Sequence, residues 1–203
     1  MQLLTPREAQ DLWPLMVVDD AVGAAFLPTD GQANPSDIPL SLAKGARMAG
    51  ALIYEDTMVS RIDVDKGVIK GIETSQGYIS CGVVIACCGQ WTRDFARCVG
   101  VNVPLVSVEH QYMVTEPIAG VSPDMPTLRD PDRLTYYKEE VGGLVMGGSE
   151  PNPIMWAKKG LPKGFHCQLL ESSFDHFEPI MEQALGRVPA LQTAGVKMLT
   201  NGP

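Results

Sequence analysis

The unbroken apolar run Val83-Val84-Ile85-Ala86-Cys87-Cys88, closed by Gly89 and followed by Trp91, constrains this chain more than any other feature. Residues without polar alternation do not suit a strand with one wet face. Val83 to Ala86 therefore reads as a strand buried on both faces, as in the interior of a parallel sheet. A glycine at its end places backbone N–H groups at the carboxyl edge of that sheet, where α/β proteins bind cofactors. Any strand-to-helix turn uses glycine in the same way, and spacing alone leaves both readings open. The run is far too short to cross a bilayer.

The surrounding pattern is mixed. Thr5-Pro6-Arg7-Glu8 reads as a helix start, with Thr5 and Glu8 forming a capping box around a proline at the first helical position. Asp30-Gly31 marks a turn, and Ser36 or Asp37 caps a second helix with Ile38, Leu42, Ala43, Ala46 and Ala49 at helical spacing. Period-two segments then follow at Ala51–Tyr54, Met58–Ile62, Val68–Thr74 and Tyr78–Ser80, with a hairpin turn at Asp65-Lys66-Gly67. Trp91 to Val99 reads as a helix closed by Gly100. The second half is richer in strands: Val103–Glu116, then a hairpin of Leu134–Glu139 and Gly143–Met146. Cys167 to Leu185 is expected to be helical, bent at Pro179. The expected architecture is a mixed α/β (α+β) fold over residues 1–101, a β-sheet with a helix over 102–190, and a return to the first domain over 191–203. The abrupt beginning and the closing turn Thr200–Pro203 read as those of an internal fragment.

Composition excludes some partners. The chain has 203 residues, with 24 Asp+Glu against 16 Lys+Arg, a net charge of -8. Such a surface repels phosphate backbones, so nucleic acid is not an expected partner, and no membrane span is visible. Five cysteines, without a Cys-x-x-Cys pair or a histidine at zinc-ligand spacing, read as buried small side chains in a reducing compartment. His110, His166 and His176 are too scattered to hold a metal. No G-x-G-x-x-G turn occurs.

Chemistry-bearing residues concentrate in Val108–Thr115. In a strand, His110 and Tyr112 share one face, which either lines a pocket for a small polar substrate or belongs to an ordinary half-buried sheet. Tyr136-Tyr137 poses the same question, because alternation lets only one ring face a given pocket. The Glu139-Glu140 pair reads as a solvated hairpin end.

Ordered motifs along the whole chain carry a resemblance. They include Leu3-Thr-Pro-x-Glu8-Ala-Gln, Gly45-Ala46-Arg47, Gly71-Ile-Glu-Thr74 and Gly89-x-Trp91. They continue with His110-Gln-Tyr112, Arg129-Asp130, Gly147-Gly148, Glu150-Pro-Asn-Pro153, Arg187-Val-Pro189 and Asn201-Gly-Pro203. In these the chain resembles the FAD-dependent amine oxidoreductases of the D-amino-acid-oxidase superfamily, on the sarcosine and dimethylglycine dehydrogenase branch.

The resemblance implies part of a Rossmann-like FAD-binding domain with an inserted antiparallel substrate domain. It implies that the backbone at Val59 meets the adenine half of FAD, that Gly89 and Trp91 lie along the cofactor, and that His110 and Tyr136 face the substrate. Tyr137 is the less suited of the tyrosine pair. The covalent FAD attachment site and a tetrahydrofolate region are implied outside this chain. The implied reaction is oxidative demethylation of an N-methyl amino acid by hydride transfer, with an electron-transfer flavoprotein as acceptor, in cytoplasm or mitochondrial matrix. A regulatory relative without catalysis and an oxygen-using oxidase are the alternatives. Ser149, where the family usually has an aromatic residue, implies an altered pocket size.

Overall fold

The computed structural model describes residues 1–203. In chain order the first elements are β1 (Gln2–Leu4), α1 (Pro6–Leu12), β2 (Ala24–Phe26) and α2 (Asp37–Met48). Then come β3 (Val59–Asp65), β4 (Val68–Thr74), β5 (Gly77–Ser80) and α3 (Thr92–Arg97). The second half holds β6 (Ser107–Val108), β7 (His110–Thr115), β8 (Leu128–Asp130), β9 (Thr135–Glu140), β10 (Gly143–Gly148) and β11 (Met155–Trp156). It ends with α4 (Phe174–Arg187) and β12 (Val196–Gly202). The fold is mixed α/β, and the strand pairings of β1 with β2, of β3-β4-β5 and of the five strands β12, β7, β10, β9 and β8 are antiparallel. No helix is long and apolar enough to cross a membrane.

The chain divides into two units. The first comprises Met1–Gln32, Val108–Trp156 and His166–Pro203, the second Ala33–Ser107 and Ala157–Phe165. In the first, a five-stranded sheet runs in the order β12-β7-β10-β9-β8. Its register explains why one face is wet and the other dry. Leu128, Tyr137, Met146, Met113 and Leu199 stand opposite one another across the five strands and belong to the hydrophobic core or pack against it. The neighbouring row, one residue along each strand, is Arg129, Tyr136, Gly147, Tyr112 and Thr200. Because side chains alternate, that second row points away from the core.

Helix α4 covers the dry face with Phe177, Ile180 and Ala184, which recur at helical spacing. It starts at Phe174 and not at Cys167, as apolar spacing alone predicts. Ser173 caps it by accepting from the His176 N–H at 3.2 Å. Buried Gln111 of β7 holds that start from both sides, accepting from the Ser173 N–H at 2.8 Å and donating to its carbonyl at 3.2 Å. Leu170 is spoken for by a β-bridge to Asn201, which keeps the segment before Ser173 extended. At the other end, Arg187 donates to Asp130 at 2.6 Å and Asp20 at 2.8 Å, and to the Val17 carbonyl. Helix α1 follows the sequence closely: the Thr5–Glu8 capping box is present, at 3.3 Å from the Glu8 N–H to Thr5 and 2.8 Å in return.

The second unit holds the antiparallel sheet β3-β4-β5 with the expected turn at Lys66-Gly67. Four expectations are corrected here. Val83–Ala86 is not a strand and is not buried; Val83 is 75% and Ile85 82% exposed. Apolarity signals a need for burial, but a strand also needs a ladder partner, and β3, β4 and β5 pair only among themselves. Ala51–Tyr54 is likewise irregular and exposed. Helix α2 buries no side chain, and Ser36 does not cap it; the Asn34 side chain accepts from the Ser36 and Asp37 N–H groups at 2.8 and 3.3 Å. All five cysteines are free, but none is buried; Cys87 lies in the same exposed run.

Candidate active site

The polar row of the five-stranded sheet gathers the site. His110 opens β7, Tyr136 is the second residue of β9, and Glu150 lies two residues beyond β10. The His110 Nδ1 atom is 3.1 Å from Glu150 Oε2, and Nε2 is 3.3 Å from the Tyr136 hydroxyl. The two rings stack with centroids 6.2 Å apart and planes 25° from parallel. The other Glu150 oxygen accepts from the Gln111 N–H at 3.0 Å. Glu150 is nearly enclosed, with 5% of its side chain exposed against 43% for His110. A carboxylate only accepts, so a hydrogen bond between Nδ1 and Glu150 requires the proton on Nδ1; in that tautomer Nε2 is the atom able to accept from Tyr136. Burial pushes the Tyr136 phenol above its ordinary pKa, and Glu150 and then Tyr112 add to the effect. It therefore stays a hydroxyl donor at neutral pH.

Gly147 makes room for this ring. A Cβ there would stand 2.3 Å from the Tyr136 hydroxyl and 3.0 Å from Tyr112 Cβ. The turn that delivers β10 opposite β9 is Val141-Gly142, both with positive φ (51° and 79°).

His110 and Tyr136 line a cavity of about 520 Å³ together with Arg129, Pro131, Leu134, Thr135 and Ser149. Arg129 brings a positive charge, and its guanidinium is paired with no carboxylate. It stands directly opposite Tyr136 in the β8–β9 register. A second cavity, of about 400 Å³, lies beside Asp20, Asp130 and Arg187, whose charges already satisfy one another. Tyr137 turns the other way, into the core, where its hydroxyl donates to Thr135 Oγ1 at 3.1 Å and its ring meets Trp13.

The remaining expected residues lie in the second unit. Val59 begins edge strand β3 opposite Thr74. Gly89 opens a short 3-10 turn, Gly89–Trp91, at φ 52°, with open space where a Cβ would stand. Trp91 is 40% exposed and its N–H bonds the Cys88 carbonyl. The structure thus brings His110 and Tyr136 into contact, and Gly89 and Trp91 into one turn. Arg129 and Glu150 escaped the reading of the residues as site members. Both stood inside motifs of the resemblance, but nothing in their local spacing points to a histidine or tyrosine distant in sequence.

The family profile described as FAD dependent oxidoreductase (DAO) matches residues 1–200. The chain belongs to this family. It is 36% identical over 200 residues to 4-methylaminobutanoate oxidase (formaldehyde-forming) of Paenarthrobacter nicotinovorans, covering 98% of this chain and 24% of that protein. It is 37% identical over 206 residues to human mitochondrial sarcosine dehydrogenase, covering 99% and 22%. It is also 34% identical over 205 residues to the mouse mitochondrial pyruvate dehydrogenase phosphatase regulatory subunit, covering 100% and 23%. Among solved structures, L-proline dehydrogenase from P. horikoshii superposes with a TM-score of 0.80 at 23% identity, over 99% of this chain and 51% of that one, a likeness of fold. The chain spans about a quarter of the length of these curated relatives.

Proposed function

We propose that this chain is part of an FAD-dependent oxidoreductase that oxidises an N-methyl amino acid, sarcosine or dimethylglycine, at its N-methyl carbon. The observation that carries the proposal is the His110–Tyr136 pair, backed by Glu150 and opening on a cavity with the unpaired cation Arg129. A carboxylate fits the guanidinium, and a secondary or tertiary amine fits a hydroxyl–imidazole pair able to take its proton.

In the second unit, the open backbone at Gly89 and the exposed Trp91 ring fit a large, flat cofactor laid along that turn. Val59, Gly89 and Trp91 are the residues assigned to hold FAD. Bound FAD supplies the electron-accepting ring. The chain's own residues hold the carboxylate at Arg129 and remove the N–H proton of the bound ammonium, so that the nitrogen lone pair is free when the adjacent carbon is oxidised. In the longer protein we assign covalent FAD attachment and a tetrahydrofolate region to segments outside this chain. An electron-transfer flavoprotein is the proposed acceptor, and the mitochondrial matrix or cytoplasm the location. The likeness to a phosphatase regulatory subunit supports a second reading, in which the fold serves binding without turnover.

The longer flavoprotein, mixed anaerobically with sarcosine, dimethylglycine or 4-methylaminobutanoate, should lose its flavin absorbance and release formaldehyde with at least one of them. His110→Ala should slow that reduction by roughly 10²- to 10⁴-fold and move its pH profile. Flavin that stays oxidised with all three amines favours the binding reading. An unaltered profile removes His110 from the reaction.

A further inference from the structure

Both oxygens of Glu150 are committed. One receives the Gln111 backbone N–H at 3.0 Å, which no rotation of the imidazole can replace, and the other faces His110 Nδ1 at 3.1 Å. With 5% of its side chain exposed, this carboxylate has little water to turn to. We infer that Glu150 is a positioning residue that fixes the His110 tautomer, keeping the proton on Nδ1 and leaving Nε2 as the atom that receives the substrate's proton through the Tyr136 hydroxyl. This rests on the amine-oxidation reading only for the identity of the proton's source.

The relay balances without an oxidant. The substrate ammonium gives one proton to the Tyr136 oxygen as the Tyr136 proton passes to His110 Nε2. The amine becomes neutral, Tyr136 is a phenol again, and His110 becomes an imidazolium whose Nδ1–H still faces the Glu150 carboxylate. No electrons move in this step. The Tyr136 hydroxyl is needed because it contacts Nε2 at 3.3 Å and lines the same cavity. The charged and titratable groups around the pair are Glu150 behind it, Tyr136 across from it, Tyr112 on the same face of β7, and Arg129 from β8. Only Glu150 touches Nδ1, so the proton on that nitrogen depends on this one carboxylate.

Glu150→Gln is informative because the amide has a single oxygen. The Gln111 N–H can only donate, so it claims that oxygen and turns the amide NH₂ toward His110. Nδ1 must then accept, Nε2 must carry the proton, and the Tyr136 hydroxyl loses its acceptor. Nitrogen NMR of ¹⁵N-histidine-labelled, FAD-loaded full-length protein, with the His110 signals identified by their loss in His110→Gln, reads this without substrate. The wild type should show Nδ1 protonated and Nε2 bare; Glu150→Gln should show the reverse. Wild-type protein with Nε2 protonated and Nδ1 bare overturns the inference even if the variant fails to fold. So does a variant that folds and keeps the wild-type tautomer.

In anaerobic single-turnover reduction, the variant should be slower by roughly 10²- to 10⁴-fold. Its affinity for the unreactive carboxylate methoxyacetate should stay within about twofold, since Arg129 is untouched. If no amine reduces the wild type while the tautomers behave as stated, the oxidation reading fails and the positioning role stands.

Discussion

Arg129 projects from β8, an edge strand, into a cavity in which no acidic side chain neutralises it. Arg129 is exposed and has no carboxylate partner, so its planar fork is free to take a planar anion, and a hydrogen bond to a charged partner contributes about 1.5–3 kcal/mol. Arg129→Met in the longer flavoprotein should therefore raise KM for N-methyl amino acids roughly ten- to a hundredfold, with little change in kcat, in steady-state kinetics. Equal KM values would remove Arg129 from recognition. The same cavity shows what single residues disclose in advance. Period-two alternation identified His110 and Tyr112 as sharing a face, but the choice between Tyr136 and Tyr137 depended on strand register, which spacing leaves open. Glu150 sits 40 residues from its histidine, in irregular chain after β10, so its role is set by the path of the chain.

At the scale of elements, α4 is tied at both ends by polar side chains while its middle rests on apolar ones. Gln111 holds its first turn, and Arg187 fastens its last turn to β8 and to the segment Val17–Asp20. Asp130 and Arg187 are both buried, so deleting Arg187 leaves the Asp130 carboxylate with only the longer charge contact to Arg133 at 3.8 Å. Arg187→Met should cost about 3–5 kcal/mol in urea unfolding. A loss below about 1 kcal/mol would mean that Asp20 and Asp130 find adequate substitutes, with Arg133 the nearest cation. Element boundaries were legible where local chemistry sets them, as in the Thr5–Glu8 box and the Lys66-Gly67 and Val141-Gly142 turns. They were not where a tertiary contact decides, as at Leu170, whose apolar side chain fits the helical pattern but whose backbone pairs with Asn201. Val83–Ile85 failed for a related reason, since hydrophobicity does not name the surface that will cover it.

For the molecule as a whole, stability in the first unit rests on one dry core in which Tyr137 is central. Burial pushes its phenol up to about 12, and the pairing with Trp13 places it against α1. An unfolded tyrosine titrates near 10, so between about 10 and 12 the folded chain holds a proton that the unfolded chain releases. The stability this represents is complete below pH 10 and is lost as pH rises through 12, about 2–3 kcal/mol in all. Urea unfolding followed by tryptophan fluorescence from pH 8 to 12 should show that decline, and Tyr137→Phe should flatten it. Parallel declines in the two proteins would place the alkaline sensitivity elsewhere. Fold class was readable from the mixture of periods, whereas the interleaving of the two units was not: the first is assembled from three separate stretches of chain. Strand β12 lies at one edge of the sheet and pairs directly with β7, the strand that carries His110. On the ribosome, β7 therefore waits some eighty residues for its second neighbour. A nascent chain arrested before Val196 presents one flank of that strand bare to whatever other polypeptide is near.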